Sequence, residues 1–309
     1  INRIVVKKKY PELHEIARKD TSMVRMTKDL AWTQLGYLIL NNVDALLLMG
    51  FNGPVMVSIY TTYNYILRFL TEIASRVELS SVYSFGNVFA KKEEKRVYPL
   101  FKEYMMMFIL IAFSMCLTFM IGIRGFVSVW VGKENYILDY ITVVLFTSTS
   151  FLNILYFPLV ALINADGLFK DNKKHIFICA SVNLILSIIL INYLGINGIL
   201  LGTGVAFLVN IALKSNLISK KITKEIKLSN ILKYYIITII LFIVLSVALK
   251  PIENYFLLTA GSFITTILKL GIIFIIITLL TSLILYVVSN DAKNLFRRLL
   301  NLIKRKLKK

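Results

Sequence analysis

Apolar stretches of about 20 residues alternate along the chain with short polar segments. Since an α-helix rises about 1.5 Å per residue, a stretch of this length crosses the roughly 30 Å hydrocarbon core of a bilayer. Eight stretches qualify, at residues 30–49, 55–77, 104–122, 136–162, 175–193, 199–217, 231–249 and 268–288. A segment in lipid must satisfy its own backbone hydrogen bonds, and these stretches are too long and too apolar for barrel strands. They predict an all-α, polytopic transmembrane helix bundle.

The composition supports the same class. Hydrophobic residues make up 57% of the chain, charged residues 17%, and the mean hydropathy is +0.73, which is too apolar for a soluble globular protein. The gaps between the predicted spans leave no room for a separate soluble domain. The chain therefore divides into a basic loop segment (1–29), a six-span bundle (30–217), two additional spans (218–288) and a basic amphipathic tail (289–309).

The basic residues predict which side of the membrane the loops occupy. Thirty of the 36 Lys and Arg fall before residue 30, at 91–102, 170–174 and 214–233, or after residue 291, all on one side of the predicted bundle. By the positive-inside rule this side, with both ends of the chain, is cytoplasmic. The net charge of +19 is thus mainly a topology signal, and nucleic acid is not a predicted partner.

Both ends of the chain carry further signals. Leu295, Leu299, Leu300 and Ile303 recur at helical spacing among Lys and Arg, which predicts an amphipathic helix on anionic membrane lipid. A disordered basic segment that stops the last span is the alternative.

The first residues carry no initiating Met and resemble the exit of an earlier span, so we expect the chain to be part of a longer protein.

Motifs of enzymes and metal sites are missing from the sequence. Cys116 and Cys179 fall in predicted spans, where a thiol behaves as a small apolar side chain. His14 and His175 are isolated from each other and from other ligands. No Gly-rich phosphate loop, nucleophile elbow or catalytic carboxylate pair is present. We therefore predict no enzyme activity, no metal and no cofactor.

Polar residues inside the first two predicted spans carry the chemistry. Gln34, Tyr37, Asn41 and Asp44 share one face of the first helix by their spacing. In the second helix Arg68, Glu72 and Arg76 follow at i, i+4 and i+8, so Glu72 can pair with either arginine. An unpaired charge near the bilayer centre costs on the order of 3 kcal/mol, so these faces should border a bundle interior or a water-filled cavity.

The later spans carry weaker polar faces, at Thr147, Ser150, Asn153 and Asn164, at Asn183 and Ser187, and at Asn210 and Lys214. Such residues are often contacts between helices that contribute about 1 kcal/mol each, so packing is their alternative role. Gly198 and Gly202 predict a close helix contact, and Pro158 predicts a kink. Arg76, Glu78 and Lys214 have a further alternative, since they lie near enough to a helix end to reach the headgroups.

Two segments of the chain carry distinctive motifs. The first, at 41–104, joins an Asn/Asp-bearing span to "SSVYSFGN" and a "KEEK" loop. The second, at 164–207, joins a basic loop to "NLILSI" and "GINGILLGT". Both segments resemble bacterial polysaccharide flippases of the multidrug, oligosaccharidyl-lipid and polysaccharide exporter superfamily. The resemblance covers residues 30–217. It implies that these six spans form the second bundle of such an exporter, with two appended C-terminal helices.

This resemblance also implies a function and roles for residues. The implied substrate is a lipid-linked oligosaccharide on an undecaprenyl pyrophosphate carrier, moved by alternating access across the bacterial cytoplasmic membrane. Other polysaccharide assembly proteins are implied partners. The candidate substrate-binding residues are Arg68, Arg76, Asn41 and Asn153, and Asp44 and Glu72 are candidates for a coupling ion or for charge pairing. Guanidinium groups match phosphate oxygens in geometry and charge.

Three other functions remain open from the sequence. A cation-coupled multidrug exporter of the same superfamily would have a cavity of acidic and aromatic groups. An integral-membrane glycosyltransferase or polymerase would carry catalytic acids in a long outer loop, whereas the outer loops here, about 123–135 and 251–267, are short. A non-transporting scaffold for cell-envelope glycan assembly would not need charges deep in the membrane.

Overall fold

The computed structural model describes residues 21–222 and 227–307, and within these it leaves the side chains of residues 21–23, 25, 41 and 299–307 undescribed. The described residues form helices and turns and contain no strand. The helices are α1 (Thr21–Ala90), α2 (Val97–Val131), α3 (Tyr140–Leu155), α4 (Phe157–Asp166), α5 (Phe169–Leu194), α6 (Ile196–Lys221), α7 (Leu228–Ala248), α8 (Lys250–Leu258), α9 (Phe263–Val288) and α10 (Asn290–Leu307).

Seven helical stretches of the described chain are long and apolar enough to cross a membrane. The first, Met26–Ala90, contains two of the eight predicted spans, and each of the other six stretches overlaps most of one. The prediction of an all-helical chain with several possible membrane spans is confirmed.

Helix α1 is divided by a break at Gly53. An unbroken helix of its 70 residues would be about 105 Å long, more than three times the hydrocarbon core of a bilayer. Gly53 has φ 80° and ψ 177°, a backbone conformation open almost only to glycine, and Pro54 begins the next helical turn. We call residues 21–52 the N-arm and residues 54–90 the C-arm. Because side chains of the two arms meet at Tyr60 and Asp44 and at Arg68 and Asn42, the chain folds back on itself at Gly53 and the arms are two separate helical segments.

The fourth predicted span is also broken. Helix α3 ends at Leu155 and α4 begins at Phe157, with Pro158 in its first turn. Proline has no backbone N–H to donate and fixes its own φ, so it suits a first turn and not a helix interior. The predicted kink at Pro158 is confirmed, whereas the predicted start at residue 136 is wrong, since Glu134–Tyr136 is a single 3-10 turn.

The basic segments meet at one end of the bundle, which we call the basic end. Lys173 pairs with Asp29, and Lys221 pairs with Asp171 at 2.7 Å. Lys102 at the start of α2 pairs at 2.8 Å with Asp291 at the start of α10. This clustering agrees with the charge pattern of the sequence.

At the opposite end a buried ion pair joins two residues that the sequence placed in outer loops. Helix α2 continues to Val131, so Arg124 is helical, and helix α8 occupies part of the predicted loop at 251–267. Nη1 of Arg124 donates to both carboxylate oxygens of Glu253 at 3.1 Å, and Glu253 is fully buried. Burial raises the pKa of the Glu253 carboxyl, and the Arg124 guanidinium opposes this shift. The loop assignment of Arg124 is therefore wrong, and the residue anchors α8 to α2.

Helices α5 and α6 pack at unusually short range. A Cβ on Gly198 would lie 2.4 Å from the carbonyl oxygen of Leu190, and one on Gly202 would lie 2.5 Å from Oγ of Ser187. No side chain fits at either position without moving backbone or a buried hydroxyl. The close helix contact predicted from the two glycines is confirmed.

Helices α9 and α10 lie on the outside of the bundle. None of the most apolar segment of α9 is buried, as suits a helix that faces lipid. Helix α10 confirms the helical form of the tail, and the alternative of a disordered segment does not hold for Asn290–Leu307. Leu295 is buried against the protein, however, so it belongs to the docking face of α10 and not to a lipid face.

Candidate functional site

A cavity of about 580 Å³ opens between α1, α3 and α6. This volume lies within the range of about 300–1,000 Å³ that is usual for small-molecule sites. Its lining residues are Gln34, Tyr37, Leu38, Leu40, Asn42, Asp44, Tyr60, Asn64, Leu67, Arg68, Thr71, Glu72, Ser75, Phe146, Thr149, Ser150, Asn153, Tyr156, Phe157, Leu200, Thr203 and Phe207. The set joins the predicted polar faces of the first, second and fourth spans in one space.

The C-arm of α1 contributes the charged wall. Arg68 is exposed to the cavity, and its Nη2 donates to Oδ1 of Asn42 on the N-arm at 2.9 Å. Glu72 also lines the cavity, and it pairs with Arg76 at 3.6 Å. Arg76 itself lies outside the lining and is largely exposed, so Glu72 pairs along its helix with Arg76 while Arg68 bonds across to the N-arm. Arg68 is the cationic side chain among the lining residues.

The candidate residue Asn41 lies outside the described side chains. Its neighbour Asn42, which was not a predicted site residue, accepts the hydrogen bond from Arg68.

Asp44 is a buried carboxylate in the wall of the cavity. It is only 4% exposed, and its Oδ2 accepts hydrogen bonds from the hydroxyls of Tyr60 at 3.1 Å and Thr203 at 3.0 Å. Its Oδ1 is buried and accepts no hydrogen bond of normal geometry from the described residues, although the amide of Asn183 lies close enough to interact with the carboxylate. Leaving a buried acceptor unsatisfied costs about 1–3 kcal/mol. Oδ1 of Asp44 is therefore an unused acceptor that can bind a proton, a cation or a water molecule.

Several amide and hydroxyl groups of the lining are free. Gln34, Asn64, Ser150 and Asn153 make no side-chain hydrogen bond to the described part of the chain, although all of them line the cavity. Asn153 was predicted as a site residue, and it lies on α3, one turn before the break at Tyr156. Free polar groups on a cavity wall bind water or a polar ligand.

Aromatic side chains form the rest of the wall. Tyr156 stacks on Phe207 of α6 with their ring centroids 5.6 Å apart, and Phe146 lies 5.2 Å from Tyr60. Phe157 follows directly after the helix break and also lines the cavity. Each of these five rings is at least nine-tenths buried, so neighbouring helices hold them in place.

A second polar cluster lies behind the cavity, towards the basic end. Lys214 is completely buried, and its Nζ donates to Oδ1 of Asn172 on α5. It also lies 5.9 Å from the ring centroid of Tyr37, which lines the cavity. Lys214 is therefore a buried structural cation and does not extend to the headgroups, the alternative that the sequence left open.

The remaining predicted polar residues take part in helix packing. Nδ2 of Asn183 donates to the backbone oxygen of Leu40 at 3.3 Å, and Ser187 donates to Asn183 at 2.9 Å. Thr147 is buried and donates to the backbone oxygen of Val143, and Asn210 is buried on α6. They lie outside the cavity lining, as does Asn164. Packing was the alternative for this group, and it is the better description of Thr147, Asn183 and Ser187. Both polar side-chain atoms of Asn210 are buried without a hydrogen bond to the described residues.

Six further polar residues complete the cavity and were not predicted from the sequence, namely Asn42, Asn64, Thr71, Ser75, Thr149 and Thr203. One signal was available for some of them. Asn64, Thr71 and Ser75 fall at the helical spacing that continues the face of Arg68. Thr203 carried no such signal, because its place beside Asp44 depends on the packing of α6 against α1.

The described residues contain no group of three or more His, Cys, Asp or Glu that could hold a metal ion. Comparisons with protein-family models, curated proteins and solved structures find no match for this chain.

Proposed function

We propose that the protein is a membrane flippase for an undecaprenyl-pyrophosphate-linked oligosaccharide, the repeat unit of a surface polysaccharide. The observation that carries the proposal is a polar cavity, with Arg68 on its wall, inside a bundle of helices apolar enough to span a membrane. An anionic pyrophosphate with a sugar chain needs a wet, cationic path through the bilayer, while the polyprenyl chain stays in lipid. The resemblance of residues 30–217 to polysaccharide flippases supports the same substrate.

Arg68 is the proposed contact for the pyrophosphate. Its guanidinium is exposed to the cavity and is held by Asn42, an uncharged partner that leaves its positive charge available. Arg76 is the weaker candidate, because it lies outside the lining and pairs with Glu72. A hydrogen bond to a charged group contributes about 1.5–3 kcal/mol, so loss of Arg68 should slow transport about tenfold or more.

Asp44 is the proposed site of the coupling ion. Its buried carboxylate has one satisfied and one unsatisfied oxygen, so binding a proton or a cation changes its local interactions directly. Glu72 is the second candidate, and its exposure and its pairing with Arg76 favour a structural role instead. An ion that binds one conformation of a carrier better than another shifts the population towards that conformation.

The membrane and the orientation belong to the same proposal. A flippase of this substrate acts in the bacterial cytoplasmic membrane, and the basic end of the bundle would face the cytoplasm. The exposed basic residues of α10, such as Arg297, would then meet anionic lipid headgroups.

The test is translocation in proteoliposomes of undecaprenyl pyrophosphate that carries a fluorescent oligosaccharide. The expected result is transport by the native protein, a loss of about tenfold or more in Arg68→Gln, and little change in the matched control Arg76→Gln. Equal transport by Arg68→Gln and the native protein would refute the role of Arg68. Transport by the native protein that is independent of proton and sodium gradients, and unchanged in Asp44→Asn, would refute the coupling role.

A cation-coupled multidrug exporter is the second candidate function. The aromatic wall and the two carboxylates of Asp44 and Glu72 favour it, since planar cationic drugs bind such surfaces. Ethidium uptake by the same proteoliposomes distinguishes the two functions. Ethidium transport without movement of the lipid-linked oligosaccharide would select the exporter.

A further inference from the structure

The wall built by α3, α4 and α6 differs in chemistry from the wall that carries Arg68. It combines the rings of Tyr156, Phe157 and Phe207 with the free polar groups of Ser150 and Asn153. No charged residue of α3, α4 or α6 lines the cavity. The two walls can therefore serve two chemically different parts of one ligand.

We propose that this aromatic and amide wall is a binding subsite for a sugar ring, separate from the anion-binding position at Arg68. The inference rests on the proposed function and refines it. A sugar ring has an apolar face of C–H groups and an edge of hydroxyl groups. Aromatic rings cover the apolar face, and amide and hydroxyl side chains bond the polar edge.

The hydrogen-bonding capacity of the wall fits this ligand. The Asn153 amide offers one acceptor oxygen and two donor hydrogens, and none of them is used by the described residues. It lies three residues before Tyr156 on the same helix, so its amide and the aromatic ring are neighbours on one face. A sugar hydroxyl both donates and accepts, and a neutral amide can meet it in either direction.

The break between α3 and α4 places two aromatic residues of this wall next to each other. Tyr156 lies at the junction, and Phe157 follows with Pro158 in the first turn of α4. The ring of Tyr156 is packed on Phe207 and is only 6% exposed, so little ordering of the side chain is needed when a ligand binds. A preformed aromatic surface suits a weakly held ligand that must also be released.

Two walls at similar depth would hold the two parts of the ligand side by side. Phe146 of α3 lies beside Tyr60 of the C-arm. Asn153 follows Phe146 by seven residues on α3, and Arg68 follows Tyr60 by eight residues on the C-arm, both towards the basic end. At about 1.5 Å per residue, both lie about 10–12 Å beyond the contact. The sugar attached to a pyrophosphate is directly next to it, so a lateral arrangement matches the linkage.

Binding of two separate probes to the native and variant proteins tests the inference. The first probe is a panel of methyl glycosides of common hexoses and N-acetylhexosamines, followed by saturation-transfer NMR. The second is geranylgeranyl pyrophosphate, which contains no sugar. We expect Tyr156→Leu and Asn153→Leu each to weaken glycoside binding about tenfold and to leave pyrophosphate binding unchanged. Arg68→Gln should have the reverse effect.

Matched controls come from two exposed residues outside the cavity lining. Tyr193→Leu and Asn192→Leu repeat the two substitutions at the end of α5 and should change neither binding. Retained pyrophosphate binding shows that the Tyr156 and Asn153 variants are folded.

Four outcomes overturn the inference and separate its failure from that of the proposed function. If the native protein binds the pyrophosphate and no glycoside, the sugar subsite is wrong and the flippase proposal stands. If it binds neither probe, both are wrong. If each substitution weakens both probes equally, the division into two walls is wrong. If ethidium binds in place of the glycosides and is weakened by Tyr156→Leu, the aromatic wall serves drugs.

Discussion

Removal of one partner of the buried Arg124–Glu253 pair should produce a loss of stability that acid reverses. The side chain of Arg124 is 17% exposed and that of Glu253 is 0% exposed, so Arg124→Met leaves a carboxylate buried with no cation bound to it. Breaking one side of a buried pair costs about 3–5 kcal/mol. We expect the variant to lose a free energy of unfolding of this size near neutral pH.

The dependence on pH follows from the sign of the pKa shift. Burial raises the pKa of Glu253, and Arg124 and, more weakly, Lys250 oppose this shift. Removing Arg124 leaves only the weaker effect of Lys250, so the variant's pKa lies higher still. When a carboxyl has a higher pKa in the folded than in the unfolded state, the free energy of unfolding of the protein falls as the pH rises from the unfolded-state pKa to the folded-state pKa. Acidification therefore protonates Glu253 and restores stability to Arg124→Met, by at most about 1.4 kcal/mol per pH unit.

The assay is thermal unfolding of the purified protein in detergent between about pH 5 and about pH 8. The midpoint temperature of unfolding of Arg124→Met should approach that of the native protein at the acidic limit and lie below it at the basic limit. The double variant with Glu253→Gln should lose this pH dependence, because no titrating group remains at the site. Arg96→Met is the matched control, since Arg96 pairs with Glu93 at an exposed position where a salt bridge contributes about 0–1 kcal/mol. The reasoning fails if Arg124→Met is as stable as the native protein, or if its loss does not shrink on acidification.

Two glycine substitutions test the backbone features of the bundle in the same unfolding assay. Gly53→Ala should destabilise the protein by about 1–3 kcal/mol through its backbone conformation alone, because a Cβ there meets no atom within 4 Å. Gly50 is equally open and has no positive φ, so the control Gly50→Ala should be neutral or stabilising. Gly198→Ala should destabilise by about 1–3 kcal/mol through the collision with α5, and Gly86→Ala is its open control. Equal behaviour of either glycine and its control would contradict the corresponding structural argument.

Features that act within one helix could be predicted from the sequence. The number and position of the apolar stretches follow from bilayer thickness and helical rise, and both are local quantities. The common face of Arg68 and Glu72 follows from helical periodicity in the same way. The kink at Pro158 follows from a missing backbone donor, and the close contact at Gly198 follows from a missing side chain.

Tertiary structure decided which of these faces meet, and therefore where the site lies. Arg76 shares the predicted helical row of Arg68, but the rotation of the C-arm leaves it outside the cavity. Thr203 is 159 residues away from Asp44 in the chain, and only the packing of α6 against α1 brings its hydroxyl to the carboxylate. The pairing of Arg124 with Glu253 likewise depends on the docking of α8. Periodicity assigns a residue to a face of its own helix, whereas the rotation and the neighbours of that helix are set by side-chain packing over the whole bundle.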